Sequence, residues 1–251
     1  MADVASTFLL GVVATFVPLY VGLVLPMAVG ALSPRKRLVL SAVSAGIIFW
    51  FFLDVMGDST FLGVNQAFGG GYTHLLLVLT FAAGFVFLLA LEGPAGGFGG
   101  STGAFTYRIA VVVALGIGFH AFGEGMNIGS VTPSATSIIV AIGGLGPGAA
   151  YALHKVLEGF VIGVFASIAG LGFKRLGVLG VVSGVPTILG FFVGIPNLFE
   201  STYFFALAGA ATLYVETKLV PSLQLYQFRF LAIISLLVGF YLMYFAGLLH
   251  G

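Results

Sequence analysis

Two histidines and two glutamates occur in one arrangement, used twice. His120-x-x-x-Glu124-Gly125-x-x-Ile128-Gly129 returns as His154-x-x-x-Glu158-Gly159-x-x-Ile162-Gly163, every matched position 34 residues further on. On a helix, residues i and i+4 share a face and differ in height by about 6 Å. Each segment therefore presents one imidazole beside one carboxylate. Two such pairs brought together make a donor set of two nitrogens and two carboxylates, which suits a divalent transition ion in a tetrahedral or expanded site. The same groups could instead be structural, each imidazole donating to a carboxylate and so tying two helices together.

The composition decides what must position these groups. Nine Lys+Arg and eight Asp+Glu in 251 residues leave the chain 7% charged, 60% of its residues are hydrophobic, and its mean hydropathy is +1.19. Soluble domains are about 25% charged, so water-soluble, disordered and nucleic-acid-binding classes are excluded and an integral membrane protein remains. Cysteine is absent, which rules out disulfides and thiolate metal sites. A bilayer core takes roughly 20 apolar residues per helix. Turn signals divide the chain into eight such spans, near 8–30, 38–56, 73–91, 109–130, 147–170, 176–196, 203–219 and 229–249. The expected fold is an all-α membrane protein, one transmembrane domain over 1–251 built as an eight-helix bundle. Segments such as 75–90 are continuously apolar, unlike the alternating strands of a membrane β-barrel. Kinks are expected at Pro18, Pro26 and Pro186. The connections 93–103, rich in Gly, and 131–148, rich in Ser, Thr, Pro and Gly, read as loops.

The basic residues orient the spans. If eight spans alternate, Arg35, Lys36, Arg37, Arg108, Lys174, Arg175, Lys218 and Arg229 all fall on one side, and the opposite connections hold no Lys or Arg. Cytoplasmic loops carry the excess of Lys and Arg, so both termini are expected outside, in a plasma (inner) membrane. Spans four and five then run antiparallel. At matching depth Glu124 should meet His154 and His120 should meet Glu158, with the glycines after each glutamate letting the two backbones approach.

A charged side chain near the bilayer centre costs about 2.5–3.5 kcal/mol on insertion scales. The ninth basic residue, Lys155, lies in span five among the candidate ligands, so it is expected to pair with Glu158, to snorkel, or to balance both carboxylates. Asn127, three residues after Glu124, is a candidate peripheral ligand or hydrogen-bond partner. Asp54 and Glu216 are candidate pathway residues toward the outer and inner ends. Glu92 could also line an exit, Glu216 could pair with Lys218, and Asp58, His74 and Glu200 are edge residues able to gather cations.

The two repeated segments, with eight spans and a cytosolic loop after the third, resemble the ZIP (Zrt/Irt-like) family of divalent metal transporters. The resemblance in motif is confined to about 50 residues around 117–163. It implies that His120, Glu124, His154 and Glu158 form the main transport site. Many members place Asn after the first His, a carboxylate after the second, and an acidic residue before a Pro in span six, to hold a second ion. Here those positions are Ala121, Lys155 and Val185, so a single-ion site is expected, with the Lys155 ammonium in place of the second cation. The His-rich cytosolic loop of many relatives is missing.

The expected function is transport of a divalent metal ion toward the cytoplasm. The ion is the substrate, with Zn²⁺, Fe²⁺, Mn²⁺ and Cd²⁺ all tolerated by the ligand set, and no organic cofactor is called for. The lipid bilayer is the surrounding partner, a homodimer is compatible with the sequence, and no enzyme activity is expected. The rivals are an intramembrane zinc hydrolase, although no His-Glu-x-x-His is present, and a metal-independent, proton-coupled transporter.

Overall fold

In a computed structural model the described residues are 9, 12–30, 32–57, 71–92, 105–131, 143–196, 202–223 and 228–250, and among them there are eight long helical segments and no strand. We number the helices α1 (Val17–Val24, entered through a π-helical turn Val12–Phe16), α2 (Pro34–Gly57), α3 (Gly71–Glu92), α4 (Tyr107–Val131), α5 (Leu145–Ile168), α6 (Phe173–Gly194), α7 (Thr202–Leu219) and α8 (Arg229–His250). Each corresponds to one expected span; the ends move by four residues or fewer except in the first, expected over 8–30, where the π-helical turn and α1 cover Val12–Val24. The loops 93–103 and most of 131–148, with Asp58 and Glu200, lie outside the described residues.

The helix ends follow local chemistry. Ser33 Oγ accepts a bond from the Lys36 backbone N–H at 3.3 Å ahead of Pro34, a side-chain cap followed by the residue best suited to a first helical position. Arg35, Lys36 and Arg37 thereby enter the first turn of α2 instead of the preceding loop. Thr106 caps α4 in the same way through the Ile109 N–H. Beyond α5, Gly170 takes φ of +66° and the Leu171 N–H returns to the Ala166 carbonyl at 2.9 Å, a left-handed glycine stop that turns the chain into α6. Pro18 sits at the start of α1 and Pro26 just beyond its end, whereas α6 continues through Pro186.

Seven of these segments are long and apolar enough to cross a membrane: Val12–Val29, Pro34–Gly57, Leu75–Glu92, Tyr107–Val131, Leu145–Ile168, Phe173–Gly194 and Arg229–Leu249. The remaining one, α7, carries Glu216 and Lys218 and is lined with buried Ala206, Ala208, Gly209, Ala210 and Ala211. It packs mainly on α2, α3 and α4. A helix surrounded by other helices does not need the continuous apolar surface that lipid demands.

Small residues decide which helices lie side by side. Gly125 and Gly129 of α4 meet the backbone of Thr187 and Phe191, while Gly190 and Gly194 of α6 meet Phe122 and Met126. Gly159 and Gly163 of α5 meet Leu19 and Leu23, and Gly22 of α1 meets Val156 and Phe160. Gly46 and Gly239 join α2 to α8 in the same manner. Removing Cβ atoms lets backbones touch and gain dispersion contacts, the main attraction between helices in lipid. The glycines after each glutamate therefore do permit close approach, but the expected partner was wrong: α4 closes on α6 and α5 on α1, not on each other.

These contacts run in step along α1 with α5 and α4 with α6, and Val43–Gly239 followed by Trp50–Tyr244 does so along α2 with α8, so each pair is parallel. Gly116 with Ala211 and Gly123 with Phe205 make α4 and α7 antiparallel. Helices of even number thus start at one end of the bundle, where Arg35, Lys36, Arg37, Arg108, Lys174, Arg175 and Arg229 occupy first turns and Lys218 the last turn of α7. Helix N-termini disfavour cations, so something other than helix chemistry gathers them at that end. One cluster of buried apolar side chains draws on all eight helices.

Candidate metal centre

His120 and Glu124 on α4, and His154 and Glu158 on α5, are buried together in the interior of the bundle. Within each helix the i,i+4 spacing sets the pair: His120 Nε2 is 3.0 Å from Glu124 Oε1 and His154 Nε2 is 3.3 Å from Glu158 Oε1. Across the helices the expected level pairs also form, with His120 Nε2 3.6 Å from Glu158 Oε1 and His154 Nε2 3.6 Å from Glu124 Oε1. One donor atom from each residue lies within 4.8 Å of the other three, close enough to hold one metal ion among the described residues.

Lys155 closes the other side of the glutamates. Its side chain is 0% exposed, so it does not snorkel. The ammonium donates to Glu158 Oε2 at 2.8 Å and also contacts Glu124 Oε2. Each carboxylate is thereby divided, with Oε2 toward the ammonium and Oε1 toward the imidazoles. The Lys155 Nζ lies 5.4 Å from the centre of the Tyr151 ring, and the Tyr151 hydroxyl is 3.4 Å from Thr15 Oγ1 beside the π-helical turn. Tyr151 precedes Lys155 by one turn, so helical spacing could have singled it out; nothing in the sequence signals Thr15.

The cluster leaves some of its polar atoms unsatisfied. Although the distances are short, neither nitrogen of His120 nor Oε1 of Glu158 makes a hydrogen bond of acceptable geometry. Buried polar atoms are nearly always paired, and an isolated one costs roughly 1–3 kcal/mol. Of the unsatisfied atoms, His120 Nε2 and Glu158 Oε1 lie 3.6 Å apart, and a cation held between them would satisfy both. Apolar rings wall the cluster. Phe51 of α2 lies edge-on to His120 at 4.2 Å between centroids and to His154 at 5.5 Å, and Phe205 of α7 lies 5.7 Å from His120. The imidazoles are nearly parallel, 5.8 Å apart at 19°. Phe51 and Phe205 carry no mark in so phenylalanine-rich a sequence.

Other candidate residues lie elsewhere. Asn127 is exposed and its backbone carbonyl accepts from Ser130 Oγ. Asp54 is half-buried on α2, one turn beyond Phe51. His74 lies in α3. Glu216 has a buried Oε1 without a hydrogen-bond partner. The expected Glu216–Lys218 pairing is replaced by one between distant helices: Lys218 Nζ sits 2.7 Å from Glu92 Oε1, and the Tyr214 hydroxyl donates to Glu92 Oε2 at 3.1 Å. Glu92 is thus buried in an ion pair and does not line an open exit. Residues two apart on a helix point to different faces, which is why Glu216 and Lys218 miss each other.

In comparison with known proteins, the sequence matches no protein-family model and no curated protein.

Proposed function

We propose that the protein carries a divalent transition-metal ion across a membrane toward the cytoplasm, as a transporter of the ZIP type and not as an enzyme. The observation that supports this most directly is the convergence of one donor atom each from His120, Glu124, His154 and Glu158, buried within 4.8 Å of one another at the junction of two apolar helices. Two carboxylates and one ammonium leave a net negative charge there, so a divalent ion is attracted into an otherwise apolar interior. Conduction needs binding strong enough to offset dehydration and weak enough to permit release. Lys155 serves the second requirement by neutralising part of the carboxylate charge, and it stands where a second ion would otherwise sit.

The eight basic residues at one end of the bundle support an orientation with that end in the cytoplasm of a cell bounded by its plasma membrane. A hydrolytic role is disfavoured because both oxygens of each glutamate are engaged or directed at the imidazoles, leaving no carboxylate as general base. Uptake of Zn²⁺ into liposomes by the purified protein tests the proposal. Glu124→Gln with Glu158→Gln should abolish it while the helical circular dichroism stays unchanged. Uptake at the wild-type rate in that double variant would overturn the site.

A further inference from the structure

The division of each carboxylate between Lys155 and the imidazoles bears on which ion the site accepts. The geometry points to Lys155 as the residue that sets metal selectivity, by limiting Glu124 and Glu158 to one donor oxygen each and so making a four-coordinate site for Zn²⁺-like ions. This rests on reading the cluster as a metal site.

A carboxylate can bind a metal through one oxygen or through two, and ions that favour six or more oxygen-rich contacts use the second mode readily. Here both second oxygens face the Lys155 ammonium. The fully buried ammonium holds Oε2 of Glu158 at 2.8 Å and contacts Oε2 of Glu124. What remains is two nitrogens and two single oxygens, arranged alternately around a ring with neighbouring separations of 3.0, 3.6, 3.3 and 3.6 Å. Zn²⁺ bonds to nitrogen and oxygen are about 2.0–2.1 Å long, which puts tetrahedral ligands about 3.3–3.4 Å apart. The four neighbouring separations bracket that value. The like pairs, nitrogen across from nitrogen and oxygen across from oxygen, fall within 4.8 Å, so the ring has to pucker and close those two diagonals for a tetrahedral ion.

The walls reinforce the limit. An ion such as Mn²⁺ could complete its shell with water, but each water needs polar partners of its own. Phe51 and Phe205 place ring edges and faces where those partners would be. Asn127, the nearest amide along α4, is exposed. Lys155→Met, similar in length and apolar, releases both Oε2 atoms into the site and removes the competing positive charge.

Co²⁺ is the probe, because its visible spectrum distinguishes four-coordinate sites, which absorb intensely, from six-coordinate ones, which absorb weakly. Purified full-length protein should give the intense spectrum, and Zn²⁺ should displace Co²⁺ readily while Mn²⁺ does not. Lys155→Met should shift the spectrum toward the weak form, and its Zn²⁺-over-Mn²⁺ preference should fall by about tenfold or more, the scale on which residues behind metal ligands act. A weak, six-coordinate spectrum in the wild type overturns the inference without any variant, whether or not Lys155→Met folds. An unchanged spectrum and preference in a folded Lys155→Met also overturn it, while leaving the metal site intact. No Co²⁺ binding by the wild type would overturn both the inference and the transport reading.

Discussion

Lys218 and Glu92 meet at 2.6 Å although 126 residues separate them. The contact joins α7 to α3 at the end of the bundle where the basic residues gather, and Tyr214 adds a hydrogen bond to the same carboxylate. Removing one member of a buried ion pair strands the other, at a cost of about 3–5 kcal/mol, whereas removing both is often nearly neutral. Lys218→Met should therefore lower stability by that amount in detergent micelles, and Glu92→Gln with Lys218→Met should recover most of it. Chemical unfolding followed by circular dichroism measures both. Equal stability of the wild type and Lys218→Met would mean that the pair is solvated in the native protein.

The stoichiometry of tightly bound metal follows from Lys155. Elemental analysis of protein purified with excess Zn²⁺ and then desalted should find one ion per chain. Two retained ions would show that the ammonium does not occupy the place of a second cation.

Acid should weaken metal binding. Imidazole and carboxylate ligate only when deprotonated, so protons compete with the ion and are released when it binds. The sign is therefore fixed by the ligands themselves: apparent affinity for Zn²⁺ falls as pH is lowered, by about tenfold per pH unit for each proton displaced. Isothermal titration at two pH values in buffers of different ionisation enthalpy measures the affinity and the proton count together. An affinity independent of pH would exclude a site made of these residues.

Glycine packing separates positions that look alike in the sequence. A Cβ at Gly125 would strike the Thr187 carbonyl, and one at Gly159 would strike the Leu19 carbonyl, whereas one at Gly177 of α6 would meet nothing within 4 Å. Gly125→Val and Gly159→Val should each destabilise the protein by about 1–3 kcal/mol or more through overpacking. Gly177→Ala should be neutral or stabilising by up to about 1 kcal/mol, because alanine is the better helix former. Thermal unfolding in micelles ranks the three, and a Gly177→Ala loss equal to that of Gly125→Val would contradict the packing.

What could be read along the chain was everything governed by one helix at a time. Apolar length marked the helices, including α7, which Glu216 and Lys218 make the least membrane-like of them. Charge marked one end of the bundle. The i,i+4 spacing paired His120 with Glu124 and His154 with Glu158, because 3.6 residues per turn leave no other arrangement. Once α4 and α5 were antiparallel, depth alone paired the two sets. What only the tertiary structure decided was the rotation and neighbour of each helix. That Gly125 faces α6 and Gly159 faces α1, that Phe51 and Phe205 wall the imidazoles, that Lys155 reaches both glutamates, that Asn127 turns outward, and that Lys218 chooses Glu92 over Glu216 all depend on it. Such choices are made by close packing among residues scattered over the whole chain. In an interior this uniformly apolar, local sequence carries little trace of which face will meet which.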